Sequence, residues 1–180
     1  MLRYKGYHGT GAVQAGQIEK HHFKVNLTRT PIDHKPRKVY WLGSGVYFFE
    51  NDPDQARNFA QLFHETPIVL ECTIDISEDK IFDVTDPESE AVIDFEAARE
   101  ILLAQAINRK LNIKMTVESL DQKVFDDICI REGYEAVRAY TYTPFGRARE
   151  AKAKSIVPNG IEICVRNRNL ITERIRMEEW

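Results

Sequence analysis

The tetrapeptide Tyr7-His8-Gly9-Thr10 places an imidazole beside a glycine and a hydroxyl group near the start of the chain. Glycine lets a ligand approach the backbone closely, and its N–H and C=O groups can hold a planar amide. A histidine in so short a stretch is equally compatible with a structural or simply exposed position. The tetrapeptide is therefore a candidate binding element only in combination with other residues.

A second stretch, Gly43-Ser44-Gly45-Val46-Tyr47-Phe48, combines glycines with aromatic residues. The Tyr47 ring offers a flat face to another ring, especially a cationic one, because the ring quadrupole attracts positive charge above it. The alternative is a core strand whose aromatic residues pack against a following helix. For Phe48 and Phe49 we favour that alternative.

A third candidate is Glu162, which interrupts an otherwise apolar run between Ile161 and Ile163. A charged residue in such a run usually lies on the solvent face of a strand. A carboxylate at the start of a strand, directly after a turn, can also project into a cleft and accept a hydrogen bond from a sugar hydroxyl. The pattern by itself leaves both positions open.

Taken together, His8-Gly9-Thr10, Gly45-Val46-Tyr47-Phe48 and Glu162 resemble the signature of the ADP-ribosyltransferase fold. The likeness is to the branch of diphtheria toxin and the poly(ADP-ribose) polymerases, which carries a His–Tyr–Glu signature. The motifs lie in that chain order, with 39 residues from His8 to Tyr47 and 115 from Tyr47 to Glu162. The resemblance implies an α+β fold with a split, mainly antiparallel β-sheet core.

The same resemblance implies NAD as the co-substrate, no metal, and a role for each matched residue. His8 would hydrogen-bond the adenosine ribose, and the backbone of Gly9, in one motif with Thr10, would clamp the nicotinamide carboxamide. Tyr47 would stack on the nicotinamide ring. Glu162 would hold a hydroxyl of the nicotinamide ribose and stabilise the positive charge that develops as the glycosidic bond breaks.

Two further groups of candidates follow from the resemblance. Phe59, or alternatively Asn58, falls near the place of a second stacking aromatic residue. The segment before the Glu162 strand corresponds to a loop that helps to choose the acceptor. Aromatic rings interleaved with arginines can stack on single-stranded nucleic acid and neutralise it, or grasp a protein. The acceptor-loop candidates are Tyr142, Phe145, Arg147 and Arg149.

The sequence departs from the other branch of the fold, which modifies arginine through a Glu-x-Glu pair, because Gly160 stands two residues before Glu162. It also carries an acidic pair of helices, inserted at about 87–133, that exceeds a minimal catalytic core. These helices are either a solvated pair packed on the sheet or a docking face for a partner protein such as an inhibitor.

We therefore expect a cytoplasmic, NAD-dependent ADP-ribosyltransferase that mono-ADP-ribosylates a macromolecule, either a protein or a single-stranded nucleic acid. Its compact size is typical of a bacterial or phage-conflict toxin, for which an antitoxin would be a partner. The alternatives are an NAD glycohydrolase of the same fold and a catalytically silent binding module. An RNA 2′-phosphotransferase of this fold ranks lower, because it would need a basic cluster around the histidine motif.

Strand and helix signals place these motifs on one domain covering residues 1–180. Alternating and β-branched runs predict strands at 3–7, 46–49, 67–75, 80–84, 134–143, 151–157, 161–166 and 170–177. Cap residues and helical spacing predict helices at 12–19, 53–64, 87–110 and 116–132. The polar, proline-interrupted stretch 21–38 predicts a long irregular loop.

Charge is segregated along the chain, although the net charge is only −3. Residues 1–40 and 138–176 are basic, whereas residues 41–137 carry 21 of the 28 acidic residues. If the two basic ends meet at the predicted cleft, they attract the pyrophosphate of NAD and a phosphate-bearing acceptor. A solvated, mixed surface is the alternative.

Composition argues against several other classes of protein. No apolar run approaches the ~18 residues of a membrane-spanning helix, and the first residues do not resemble a secretory leader. The three cysteines lie far apart and have neither disulfide-framework nor zinc-site spacing: Cys72, Cys129 and Cys164. We accordingly expect no membrane partner and no structural metal.

Overall fold

A seven-stranded sheet forms the centre of the computed structural model, which describes residues 1–25, 40–109 and 116–177. The strands are β1 (Leu2–Gly11), β2 (Val46–Glu50), β3 (Pro67–Ile76), β4 (Ile81–Asp83), β5 (Ala136–Thr141), β6 (Gly160–Val165) and β7 (Ile171–Arg176). Their order is β4-β5-β6-β2-β1-β3-β7, and every neighbouring pair is antiparallel except β4 and β5. The expected α+β class with a mainly antiparallel sheet is confirmed.

Five α-helices are present in the described residues: α1 (Ala12–His21), α2 (Pro53–Gln61), α3 (Glu90–Asn108), α4 (Val117–Glu132) and α5 (Gly146–Glu150). The carboxylate of Asp52 caps α2 by accepting a hydrogen bond from the Gln55 amide, and a proline occupies the first helical position. A reciprocal capping box between Thr116 and Ser119 opens α4. These caps explain why both helices begin where the sequence predicts.

The two faces of the sheet pack against different helices. On one face, a buried cluster that includes Phe48, Leu70 and Ile163 packs against Ala15 of α1. On the other face, one cluster packs against α2 and another against α4. Successive side chains of a strand point to opposite faces of the sheet. The register of the central strands aligns these alternating side chains, so each face has its own set of residues. The helices therefore bracket the strands that carry the signature motifs.

Three sequence predictions are corrected or limited by the fold. No strand forms at 151–157: these seven residues are all exposed and pair with no strand of the sheet, so they bury no apolar face. The first strand continues to Gly11 instead of ending at Tyr7, because β3 pairs with all ten residues. The predicted loop at 21–38 lies, from residue 26 onwards, outside the described residues.

The inserted helical pair is present as α3 and α4, and α3 is poorly covered. Of its nineteen residues only Leu102 is fully buried, while Ile93, Ile101 and Ile107 are exposed. A helix with apolar residues on both its inner and outer faces is unusual for a solvated surface helix. The docking role and the solvated role of this pair both stay as predictions.

Gly9 is the position in β1 where a side chain meets most resistance. A Cβ atom there would lie 1.8 Å from the backbone oxygen of Ala56 in α2, whereas a Cβ at Gly16 in α1 would meet nothing within 4 Å. We expect Gly9→Ala to lower the free energy of unfolding by about 1–3 kcal/mol through overpacking.

Gly16→Ala is the matched control, since alanine is favoured over glycine within a helix by up to about 1 kcal/mol. Thermal denaturation should show a lower Tm for Gly9→Ala and an unchanged or higher Tm for Gly16→Ala. Equal Tm values for Gly9→Ala and the wild type would contradict the close approach of α2.

Candidate functional site

Strands β1 and β2 diverge next to His8. Their ladder ends at the pair of Tyr7 and Phe49, and the next residue of β1 uses its side chain instead: Nδ1 of His8 lies 2.9 Å from the backbone oxygen of Tyr47. The backbone of Lys5 faces β2, because its carbonyl accepts a hydrogen bond from the Asn51 amide. Strand alternation therefore turns the peptide groups of Gly9 towards the gap that β2 leaves.

The gap opens into a cleft of about 1280 Å³ that is partly open to solvent. Ligand pockets commonly span about 300–1,000 Å³, so the cleft has room for a ligand as large as a dinucleotide. The matched signature residues His8, Gly9, Thr10, Tyr47 and Glu162 all line it. The fold therefore brings to one cavity the three motifs that are far apart in the sequence.

His8 is held as a neutral imidazole of one tautomer. A carbonyl oxygen can only accept, so Nδ1 donates its proton to the Tyr47 carbonyl and Nε2 keeps a lone pair. Burial lowers the pKa of His8, and the rings of Phe23 and Phe48 pack around it at centroid distances of 5.1 and 5.7 Å. The imidazole thus presents a hydrogen-bond acceptor to a hydroxyl group.

The Tyr47 ring is oriented by its own hydroxyl group. The phenol donates to the carbonyl of Gly43 at 2.7 Å and accepts from the amide of Leu42 at 2.9 Å. Burial raises the pKa of this phenol well above its usual range, so it stays protonated. One ring face stacks on Tyr40, 5.9 Å away and inclined by 28°. Sequence reasoning missed Tyr40, whose position before Trp41-Leu42-Gly43 carries no motif signal.

Glu162 is buried at 3% exposure, which excludes the solvent-facing alternative. Its Oε1 atom accepts hydrogen bonds from the hydroxyl groups of Thr141, at 2.9 Å, and Thr143, at 2.7 Å. Burial raises the pKa of Glu162, while the two hydroxyl groups act in the opposite direction. Because both threonines contact Oε1, the orientation of the carboxyl group is set and Oε2 is the oxygen that they leave uncommitted.

A turn residue holds the Thr143 backbone in place. Asn159 accepts from the amide of Thr143 at 3.0 Å and donates to its carbonyl at 2.8 Å. The side chain of Gln55 in α2 donates in turn to the Asn159 carbonyl at 2.6 Å. Sequence reasoning missed these supports, although the Thr-x-Thr spacing places both hydroxyl groups on one side of the strand that precedes Glu162.

A buried ion pair joins the helical insertion to the cleft. Asp126 of α4 accepts from Nη1 of Arg166 at 2.6 Å, and also from the amide and hydroxyl groups of Ser44. A second α4 residue, Gln122, accepts from the amide of Tyr40 at 3.0 Å. The segment that holds the Tyr47 phenol is therefore fixed from the side of α4.

Of the other predicted site residues, one belongs to the cleft. Phe59 lines it, whereas Asn58 is exposed outside its lining. None of the acceptor-loop candidates belongs to the lining. Phe145 packs near Phe49 at 6.5 Å, Arg149 lies over the ring of Phe63 at 5.4 Å, Tyr142 is half-buried, and Arg147 is exposed.

Among the described residues, each of the two basic ends contributes one cationic side chain to the cleft lining, apart from the buried ion pair. Lys24 comes from the first end and Arg168 from the second. Several other described cations of these ends are paired with acidic residues instead: Arg3 with Asp75, Lys5 with Glu71, Arg138 with Glu50 and Asp83, and Arg176 with Glu19. Pairing within the fold thus neutralises several of the described basic residues of the two ends.

Within the described ranges, no group of three or more His, Cys, Asp or Glu side chains is arranged to hold a metal ion. Among the same residues, none of the helices is both long enough and apolar enough to cross a membrane. The three cysteines are buried and unpaired.

No protein-family model matches the chain, and no curated protein matches its sequence at a significant level.

The buried pair of Asp126 and Arg166 generates a stability prediction. Asp126→Ala leaves the Arg166 charge buried without its partner, which costs about 3–5 kcal/mol of unfolding free energy in urea denaturation. Glu132→Ala on the same helix removes an exposed pair with Arg131 and should change the value by less than about 1 kcal/mol. Similar losses in both variants would show that the buried pair does not anchor the insertion.

The raised pKa of Glu162 generates a second prediction. A carboxyl group whose pKa is raised by folding destabilises the fold once pH exceeds its ordinary pKa, and this penalty disappears at acidic pH. Glu162→Gln should therefore raise Tm at pH 7 and have a smaller effect at pH 4.

Glu71→Gln is the control, for which we expect a change in Tm of opposite sign. Bonds from Lys5 and Tyr7 lower the pKa of Glu71, so its ionised form stabilises the fold above its ordinary pKa. This variant should lower Tm at pH 7 and have less effect at pH 4. The burial penalty would be contradicted if the Tm of Glu162→Gln, measured relative to the Tm of the wild type, were lower at pH 7 than at pH 4.

Proposed function

We propose that this protein is an NAD-dependent ADP-ribosyltransferase of the ADP-ribosyltransferase fold, which transfers a single ADP-ribose group to a macromolecule. One observation carries the proposal. A neutral histidine, an oriented tyrosine ring and a buried glutamate with one uncommitted oxygen line the same cleft, at the point where two central strands diverge. Each of the three is suited to a different part of NAD.

The strand gap supports binding of the nicotinamide half. The peptide groups of Gly9 face the gap and can pair with the carboxamide, while the ring of Tyr47 can stack on the cationic pyridinium. Tyr40 stacks on one face of Tyr47, so a bound ring either displaces Tyr40 or uses the opposite face. Phe59 lies in the lining as a further aromatic contact.

The adenosine half has matching partners. Nε2 of His8 can accept a hydrogen bond from a ribose hydroxyl because Nδ1 is committed to the Tyr47 carbonyl. Lys24 and Arg168 in the lining supply positive charge for the pyrophosphate. The ligand would therefore be positioned along its whole length before reaction.

The chemistry follows from the position of Glu162. The bond between the ribose C1′ atom and the nicotinamide nitrogen breaks, its electron pair leaves with nicotinamide, and positive charge develops on the ribose. A carboxylate in a buried site stabilises that charge strongly, and the approaching cation favours the ionised form of Glu162. A nucleophilic oxygen or nitrogen of the acceptor forms the new bond to C1′ and releases its proton to Glu162 or water.

Labelled NAD provides the test. Incubation of the protein with cell lysate and NAD labelled in the adenylate moiety should yield labelled macromolecule and free nicotinamide. We expect Glu162→Gln to lower the transfer rate by roughly 100-fold or more while binding of NAD, measured by calorimetry, persists. Glu173→Gln on the exposed edge strand β7 is the matched control and should retain the wild-type rate.

Three results would contradict the proposal in different ways. Free ADP-ribose without labelled macromolecule indicates an NAD glycohydrolase. Binding of NAD without any turnover, or no binding, indicates a silent module. Full activity of Glu162→Gln removes the catalytic assignment.

A further inference from the structure

A row of phenylalanine rings leads from the cleft to the protein surface. Phe49 and Phe59 both line the cleft, with ring centroids 6.1 Å apart, and Phe63 continues the row 5.3 Å beyond Phe59. Exposure rises along the row from 7% to 37% to 59%. The row therefore begins at the candidate reaction site and ends in solvent.

Packing of α2 does not account for the outer two rings. The helix buries Ala56 and Ala60, while Phe59 on its exposed side contacts Phe63, which lies two residues beyond the end of the helix. A contiguous exposed apolar surface that is rimmed by polar residues is typical of interaction sites. A ligand with flat rings would recover the surface that they leave exposed.

Positive charge borders the row. The guanidinium of Arg149 lies 5.4 Å from the centroid of the Phe63 ring, and Arg147 is exposed on the same short helix. Two lysines follow, of which Lys154 pairs with Glu118, and Glu150 is the single carboxylate between residues 146 and 155. Flat rings with adjacent cations match the two components of a nucleic acid strand, its bases and its phosphates.

We propose that Phe59, Phe63, Arg147 and Arg149 form a binding site for single-stranded nucleic acid, which is the acceptor of the transfer reaction. Unpaired bases stack on the two rings, and phosphates contact the two arginines. A duplex does not bind in this way because its bases are already stacked and paired. The acceptor role rests on the proposed transferase activity, whereas the binding itself does not.

Continuity with the cleft gives the site its role. Since Phe59 belongs to both the row and the cleft lining, a strand held on Phe63 and Phe59 leads into the cleft that Glu162 also lines. A base or sugar group of the adjoining nucleotide then supplies the nucleophile. Phe63, Arg147 and Arg149 lie outside the cleft lining, so they select the acceptor without contributing to cleavage of NAD.

Fluorescence anisotropy with a labelled 12-nucleotide single strand, RNA and DNA in separate titrations and no NAD present, tests the binding. Phe63→Ala should weaken binding about tenfold, in line with about 1–3 kcal/mol for stacking of one base. Tyr140→Ala is the matched control, because Tyr140 is 55% exposed on β5 and should leave the Kd unchanged. Circular dichroism checks that each variant is folded.

The arginines have a separate readout. The double variant Arg147→Gln, Arg149→Gln should reduce the slope of log Kd against log salt by about 1.4, because each lost phosphate contact on a single strand removes about 0.7. An unchanged slope, equal Kd values for Phe63→Ala and wild type, or equal binding of single strand and duplex would each overturn the site.

Addition of labelled NAD separates the two proposals. Label that is transferred to the bound strand and lost on nuclease digestion supports both. Label that appears on protein and resists nuclease would support the transferase activity and overturn the acceptor assignment. Tight, Phe63-dependent binding of the strand without transfer of label would support the binding site and overturn the role of the strand as acceptor.

Discussion

The hydrogen bond between the His8 side chain and the Tyr47 carbonyl determines the form of the whole site. It stands where the ladder between β1 and β2 would otherwise continue, so the two strands diverge after Tyr7 and Phe49. On the other edge of β1, pairing with β3 continues without a break to Gly11. The sheet therefore stays whole on one side of β1 and opens on the other.

Two tightly packed contacts keep this gap from closing. The backbone of α2 lies so near Gly9 that no side chain can be accommodated there. The helix is thereby packed directly against the C-terminal part of β1. On the far side, Asp126 and Arg166 bind the glycine-rich segment before β2 to α4. The acidic insertion thus supports the cleft directly, whether or not it also binds a partner.

Burial of Glu162 disfavours its ionised form. A buried carboxyl group held by two threonine hydroxyls, with burial raising its pKa, makes a poor contribution to stability at neutral pH. Such a group is useful when a cation enters the cleft, because the low-dielectric surroundings then strengthen the attraction. Sites that stabilise a developing charge commonly hold such a preorganised group at a cost in the stability of the fold.

Much of the fold could be predicted from local signals, and much of the site could not. Asp52-Pro53 and Thr116 mark helix starts through bonds made within three residues, and alternation marks β3 through its own side chains. A strand was wrongly predicted at 151–157, because a local pattern does not tell whether a segment finds a partner strand and a buried face. Charge segregation was equally incomplete, since long-range pairs neutralise several of the basic residues.

The sequence by itself determined which chemical groups the protein has and the order of its motifs: an imidazole, a phenol and a carboxylate on three separate strands. Only the tertiary structure decided that these strands diverge at His8, that Thr141 and Thr143 orient Glu162, and that Phe59 and Phe63 line a path to the surface. The physical reason is that the hydrogen bonds of His8 and of Glu162 join residues from 19 to 39 positions apart, which no local pattern encodes.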